Sequence, residues 1–229
     1  MKNVIMSILG LAILIGLAIG AYVTIGNQKN AEELSGVEES QFVDSNDEKN
    51  DAVVVSEINL SRAGGAWSVT STGDYTIDPA TLKFEFTGYK PGGQHIGTFQ
   101  NLTGSVALDA AGKAIGAMLK LDPTSIKTDS EALDKHLQAD VFFDTANHPE
   151  IKVAIKSIEN VSDTSAKAIT DITIKGNTKT LSIPVRIEKT ATGMKFWVDT
   201  KIKISEYQMA YGPVQDDVRV VASGELKKK

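Results

Sequence analysis

Met194-Lys195-Phe196-Trp197-Val198-Asp199-Thr200-Lys201-Ile202-Lys203-Ile204 is the stretch from which the fold is read. Met194, Phe196, Val198, Thr200, Ile202 and Ile204 alternate with Lys195, Trp197, Asp199, Lys201 and Lys203. Successive side chains of a strand point to opposite faces, so this period of two predicts a strand with one face away from water. The pattern recurs in Leu181, Ile183, Val185 and Ile187, in Ile115, Ala117, Leu119 and Leu121, and in Val218, Val220, Ala222 and Leu226. Turn-forming residues punctuate the runs at Pro91-Gly92-Gly93, Ala111-Gly112, Ser162-Asp163, Gly176-Asn177, Thr192-Gly193 and Gly212-Pro213. Seven or eight one-sided strands on short turns imply an antiparallel sheet that closes on itself or packs on a second sheet. The expected fold is all-β, an antiparallel barrel of about eight strands with an interior that is filled or holds one ligand. One stretch departs from this pattern. Ser130-Glu131-Ala132-Leu133-Asp134-Lys135-His136-Leu137 reads as a short helix capped by Asp129 or Ser130, lying across one mouth of the barrel.

Outward from the strands, the chain divides into three. Val4 to Ile25 is uncharged and rich in Leu and Ile, and Lys2 precedes it. As a helix it would span roughly 33 Å, about one hydrocarbon core, with Lys2 on the cytoplasmic side. Residues 1–26 therefore read as a transmembrane anchor or a signal peptide. The apolar run continues past the small-residue site Ala18-Ile19-Gly20, which favours the uncleaved anchor; cleavage there would leave a secreted or periplasmic protein. Gly16 and Gly20 have the spacing of a helix-dimerisation motif, which leaves a homodimer open. Residues 28 to 60 hold nine acids against two lysines, and 27–60 is read as an acidic disordered stalk. The rest, 61–229, is the barrel domain, expected on the extracytoplasmic side of the membrane.

Composition narrows the function. No cysteine is present among the 229 residues, which removes disulfides, thiolate metal sites and cysteine nucleophiles. Residues 61 to 229 carry 20 acids and 21 bases, and a chain so balanced offers no basic face for a nucleic acid. His95, His136 and His148 stand in separate loops without metal-ligand spacing, so no metal is expected and capping of turns is their plainer role. No serine sits in a Gly-x-Ser-x-Gly elbow, and Asp134, Asp140 and Asp144 read as backbone caps rather than a catalytic group. Lys90-Pro91-Gly92-Gly93-Gln94-His95 is either a plain hairpin turn or a loop that receives the polar end of a ligand.

Several blocks carry a resemblance to a known family. Tyr75-Thr76-Ile77-Asp78-Pro79-Ala80 with Leu82, Phe84 and Phe86 is one, and Lys90 to Phe99 followed by Thr103-Gly104 is another. The most specific runs through Asp122-Pro123-Thr124-Ser125-Ile126-Lys127-Thr128, then Leu133 to Asp144, then His148-Pro149. Asp171 to Lys179 and Ile183-Pro184-Val185 complete it. From Tyr75 to Leu226 the chain resembles the YceI-like family of polyisoprenoid-binding, lipocalin-like periplasmic proteins. Ile204 to Gly212 lacks the Asn or Asp and the Arg often found there.

The resemblance implies an extended eight-stranded antiparallel barrel around a long apolar channel that accepts a prenyl chain, such as an isoprenoid quinone or polyprenyl phosphate. The expected activity is binding and sequestration or transport of that lipid, without catalysis and without a cofactor other than the bound lipid or quinone. Candidate wall residues are Phe84, Phe86, Phe99, Leu119, Phe142, Phe143, Ile183, Val185, Phe196, Val198 and Ile202, and Lys90, His95 and His136 are candidates at the mouth. In an extended segment the adjacent Phe142 and Phe143 would face opposite ways, so at most one should line the channel. The rivals are a non-enzymatic surface or stress-response module with a packed barrel, and an enzyme on a hydrophobic substrate.

Overall fold

Strand β12 (Gly193–Lys203) forms as its alternation requires, paired along its whole length with β13 (Asp217–Lys228). The computed structural model describes residues 56–108, 114–160, 162, 164–209 and 214–229. Before these two strands come β1 (Ser56–Ala63), β2 (Ala66–Thr72), β3 (Tyr75–Ile77), β4 (Lys83–Lys90), β5 (Gly93–Phe99) and β6 (Leu102–Leu108). They are followed by β7 (Ala114–Leu121), β8 (Ile126–Thr128), helix α1 (Glu131–Gln138), β9 (Ile151–Glu159), β10 (Ser165–Ile174) and β11 (Asn177–Lys189). The strands make one antiparallel sheet in the order β2-β1-β6-β7-β9-β10-β11-β12-β13-β4-β5-β8, with β3 paired to the end of β13.

The sheet is curled, and its connectivity shows why. β5 pairs with β4 and β8, whereas β6 pairs with β7 and β1. Only Gln100 and Asn101 separate β5 from β6, so the ladder that leaves β6 through β7 returns at β5 on the same stretch of chain. Backbone bonds from Gln100 N–H to Ser125 O (3.0 Å) and from Asp122 N–H to Asn101 O (3.1 Å) carry the pairing past the break. Among the described residues an all-β curled sheet with one short helix agrees with the expectation; the strand count there differs, at thirteen, because long strands are broken and a hairpin precedes them.

That hairpin corrects the N-terminal boundary. Composition places residues 56–60 in the acidic stalk, yet they begin β1, with Ile58 and Leu60 0% and 3% exposed. The acids dominate the average over the segment, while Ser56, Ile58 and Leu60 alternate inward beneath them. Arg62 pins the hairpin at the bend by donating from Nη1 to Thr98 Oγ1 (2.6 Å) and Phe99 O (2.8 Å). The proposed membrane segment 1–26 and the stalk up to residue 55 lie outside the described residues. Among the described residues no helix is long and apolar enough to cross a membrane.

The interior is packed at one end. Ile58, Ile77, Ile187, Met194, Ala222 and Leu226 are all buried there. Phe196 lies across its β13 neighbour Gly224, where a Cβ would come within 2.7 Å of the ring. Toward the other end the inward residues of the same strands open out: Met194, Phe196 and Val198 are fully buried, but Thr200 and Ile202 only half-buried.

Tyr207 is fully buried, and its hydroxyl has no hydrogen-bond partner among the described residues. Burial, with Glu206 adding to it, pushes the phenol from 10.0 up to about 12. The folded chain therefore keeps this proton to higher pH than the unfolded chain, so stability present below pH 10 is lost as pH rises through about 12. Tyr207→Phe is expected to match the native chain at pH 7 within about 1 kcal/mol. In alkaline melts it should be spared about 2 kcal/mol of the loss that the native chain suffers.

Candidate functional site

The open end of the curled sheet is built first by β4 and β5. Phe84 and Phe86 point inward from β4, and Gly97 opposite Phe86 leaves room for its ring, since a Cβ there would stand 2.4 Å from Phe86 Cζ. Phe99 lies among three rings, with centroids 6.2 Å from Phe84, 5.8 Å from Phe86 and 6.0 Å from Phe143.

Helix α1 roofs this cluster. Ser130 is its N-cap, its side chain accepting from Leu133 N–H, as the sequence led us to expect. Leu133, His136 and Leu137, spaced three and four apart, face the interior together. A single carboxylate ties the helix down: Asp134, 8% exposed, accepts from the backbone N–H and the hydroxyl of Thr128, both at 2.6 Å. Lys127 Nζ stands 3.2 Å from the other oxygen. Burial pushes this carboxyl up, but the Thr128 and Lys127 contacts outweigh it and hold the group below its ordinary 3.8. Asp134 thus caps backbone as expected, and the Asp144 side chain instead accepts from the Asn147 amide.

Phe142 and Phe143 both reach the interior, against the expectation that at most one does. Residues 141–143 form a turn, with Phe142 N–H bonded to Ala139 O and Phe143 N–H to Leu137 O, so the alternation of an extended chain does not apply. The Phe142 ring meets His136 edge-on at 5.3 Å.

Between the roof and the packed end lies a cavity of about 350 Å³. Of the expected wall, Phe84, Phe86, Phe99, Leu119, Phe142, Phe143, Ile183, Val198 and Ile202 line it. Val185 and Phe196 do not; 1% and 0% exposed, they belong to the packed end immediately beyond. Alternation assigns a side chain to the inner face but not to a level along the barrel, and that accounts for the error. Leu121, Ile151, Val153, Ile172, Ile174 and Val220 also line the cavity, and the same alternation would have found them. Met209 and Val214 stand in irregular chain and had no such signal.

Polar groups gather at the mouth. Lys90, His95 and His136, the candidates for the mouth, line the cavity together with Tyr89 and Thr200. His95 Nδ1 is 2.7 Å from Asp129 Oδ1, and its Nε2 is 2.7 Å from Lys90 Nζ. An ammonium only donates, so Nε2 accepts and Nδ1–H donates to Asp129. His95 therefore binds side chains rather than capping a turn, and Asp129 was invisible as its partner at a separation of 34 residues. His148 does not line the cavity, and its Nε2 stands 3.9 Å from Asp144 Oδ2. Among the described residues no three His, Asp or Glu side chains group as a metal site.

Similar proteins bear on this arrangement. The sequence model of the YceI-like domain matches residues 75–226. Protein YceI of Escherichia coli is 26% identical over 171 residues, covering 66% of this chain and 85% of that protein. A UPF0312 protein of Pseudomonas syringae is 31% identical over 98 residues, 42% of this chain and 49% of its own length, so the match spans about half of that relative. Among solved structures, Burkholderia cenocepacia BcnA superposes with a TM-score of 0.58 at 20% identity, over 66% of this chain and 98% of BcnA. A polyisoprenoid binding domain from Saccharophagus degradans does so with a TM-score of 0.53 at 14% identity, over 77% and 100%. The overall fold is thus shared with these structures, and the segment matched by the family model holds the helix, the mouth and every residue of the cavity wall: the chain belongs to the YceI-like family.

Proposed function

We propose that this protein binds a long-chain isoprenoid lipid, a polyprenyl compound or an isoprenoid quinone, with the tail in the cavity, and that it sequesters or transports it on the extracytoplasmic side of a membrane. The observation that carries the reading is the cavity of about 350 Å³ walled by Phe, Leu, Ile and Val, with polar groups at its mouth. That volume falls in the roughly 300–1,000 Å³ span of small-molecule sites. Burial of an apolar tail is the main driving force: on the order of 500 Å² at about 25 cal/mol per Å² is about 12 kcal/mol before ordering costs. The relative from Saccharophagus degradans, a polyisoprenoid binding domain, supports the ligand class. The uncharged run from Val4 to Ile25 supports the location and an anchor to the cytoplasmic membrane. The reading is non-covalent and non-enzymatic, with no cofactor beyond the lipid. A cavity of this size favours the carrier over a packed interaction module.

Native mass spectrometry of the full chain, released from its own cells, is expected to show one prenyl lipid per protein. Finding no prenyl adduct, with no saturable uptake of a prenyl probe, refutes the proposal. Ile202→Trp, which fills the cavity from a half-buried wall position, is expected to weaken prenyl uptake more than tenfold with little change in melting temperature.

A further inference from the structure

The mouth holds a hydrogen-bonded chain that the burial of a tail does not need. Asp129 precedes the cap of α1, His95 projects inward from β5, and Lys90 ends β4, so three separate elements meet through two contacts of 2.7 Å. Lys90 is also the one Lys or Arg among the described residues that lines the cavity. Asp129 fixes the His95 tautomer by accepting from Nδ1–H, and Nε2 then holds one of the three ammonium protons of Lys90. Two donors on Lys90 stay available at the rim of an otherwise apolar chamber.

From this we infer that the Asp129–His95–Lys90 chain is a head-group clamp selecting an apolar-tailed ligand that ends in a carbonyl oxygen, with Lys90 as the donor and His95 and Asp129 as positioning residues. The inference rests on the carrier reading above. Charge decides the class. Lys90 and Asp129 offset one another, so the clamp offers donors without net positive charge. A diphosphate brings several negative charges and requires several cationic donors. A carbonyl needs a single N–H, and leaving that donor empty against a hydrocarbon end wastes the contact.

The test compares four probes of one tail length on the full chain: a geranylgeranyl methyl ketone, the matching hydrocarbon without a head group, the matching carboxylic acid and geranylgeranyl diphosphate. Calorimetric titration is expected to rank the ketone first, about tenfold tighter than the hydrocarbon. Asp129→Ala and Lys90→Met are expected to bring ketone affinity down to that of the hydrocarbon, leaving hydrocarbon affinity within about twofold and melting temperature unchanged. A diphosphate or acid that binds tighter than the ketone overturns the assigned class. A ketone preference that survives both substitutions overturns the clamp while the carrier reading stands. Failure of every probe to bind the native chain overturns the carrier reading, and the clamp with it.

Discussion

Phe99→Ala is expected to lower the unfolding free energy by about 3 kcal/mol, measured by urea denaturation. The usual cost of deleting a buried phenylalanine ring is about 3–5 kcal/mol, from lost transfer energy and the space left behind. Phe99 is 5% exposed, and its ring stands within about 6 Å, centroid to centroid, of Phe84, Phe86 and Phe143. The cost falls at the lower end because one side of the ring borders the cavity and loses few contacts there. The same substitution joins new volume to the cavity, so a prenyl probe should recover part of the lost stability by binding only the folded state. A loss below about 1 kcal/mol would show that the aromatic cluster is not what braces the roof.

Asp134→Ala is expected to cost a similar amount, about 3 kcal/mol, for a different reason. The Asp134 carboxylate satisfies the Thr128 N–H in a buried setting, and an orphaned donor there costs about 1–3 kcal/mol. Loss of the Thr128 hydroxyl bond adds to that; loss of the half-exposed Lys127 pairing adds little. Asp134→Asn keeps an acceptor for Thr128 and should cost less, about 1 kcal/mol. Because the folded carboxyl lies below its ordinary 3.8, its contribution is fully present above that pH and is lost as pH falls through the folded value. Both variants should therefore show a shallower acid decline than the native chain. Since Asp134 ties α1 to β8, ligand exchange should also quicken in both variants, read as a faster off-rate by stopped flow.

What was legible in the sequence followed from local repetition. β12 and β13 carry their inward residues at strict intervals of two, and α1 carries a cap and a three-four spacing, so both reveal themselves within a dozen residues. The β1–β2 hairpin was hidden because its inward Ile58 and Leu60 sit among acids. Phe142 and Phe143 depart from the alternation of a strand because a turn carries them.

The chain by itself determined which residues avoid water, hence the one-sided strands, the capped helix and the family. Tertiary structure alone decided how far along the barrel the packing reaches, so that Ile183 and Val198 line a cavity while Val185 and Phe196 fill the end beside it. It also decided that Asp129 meets His95, whose other ring nitrogen holds Lys90. Alternation specifies a face, because it arises within one strand; depth and long-range polar contact depend on how many strands converge and with what offset, and no local pattern encodes that.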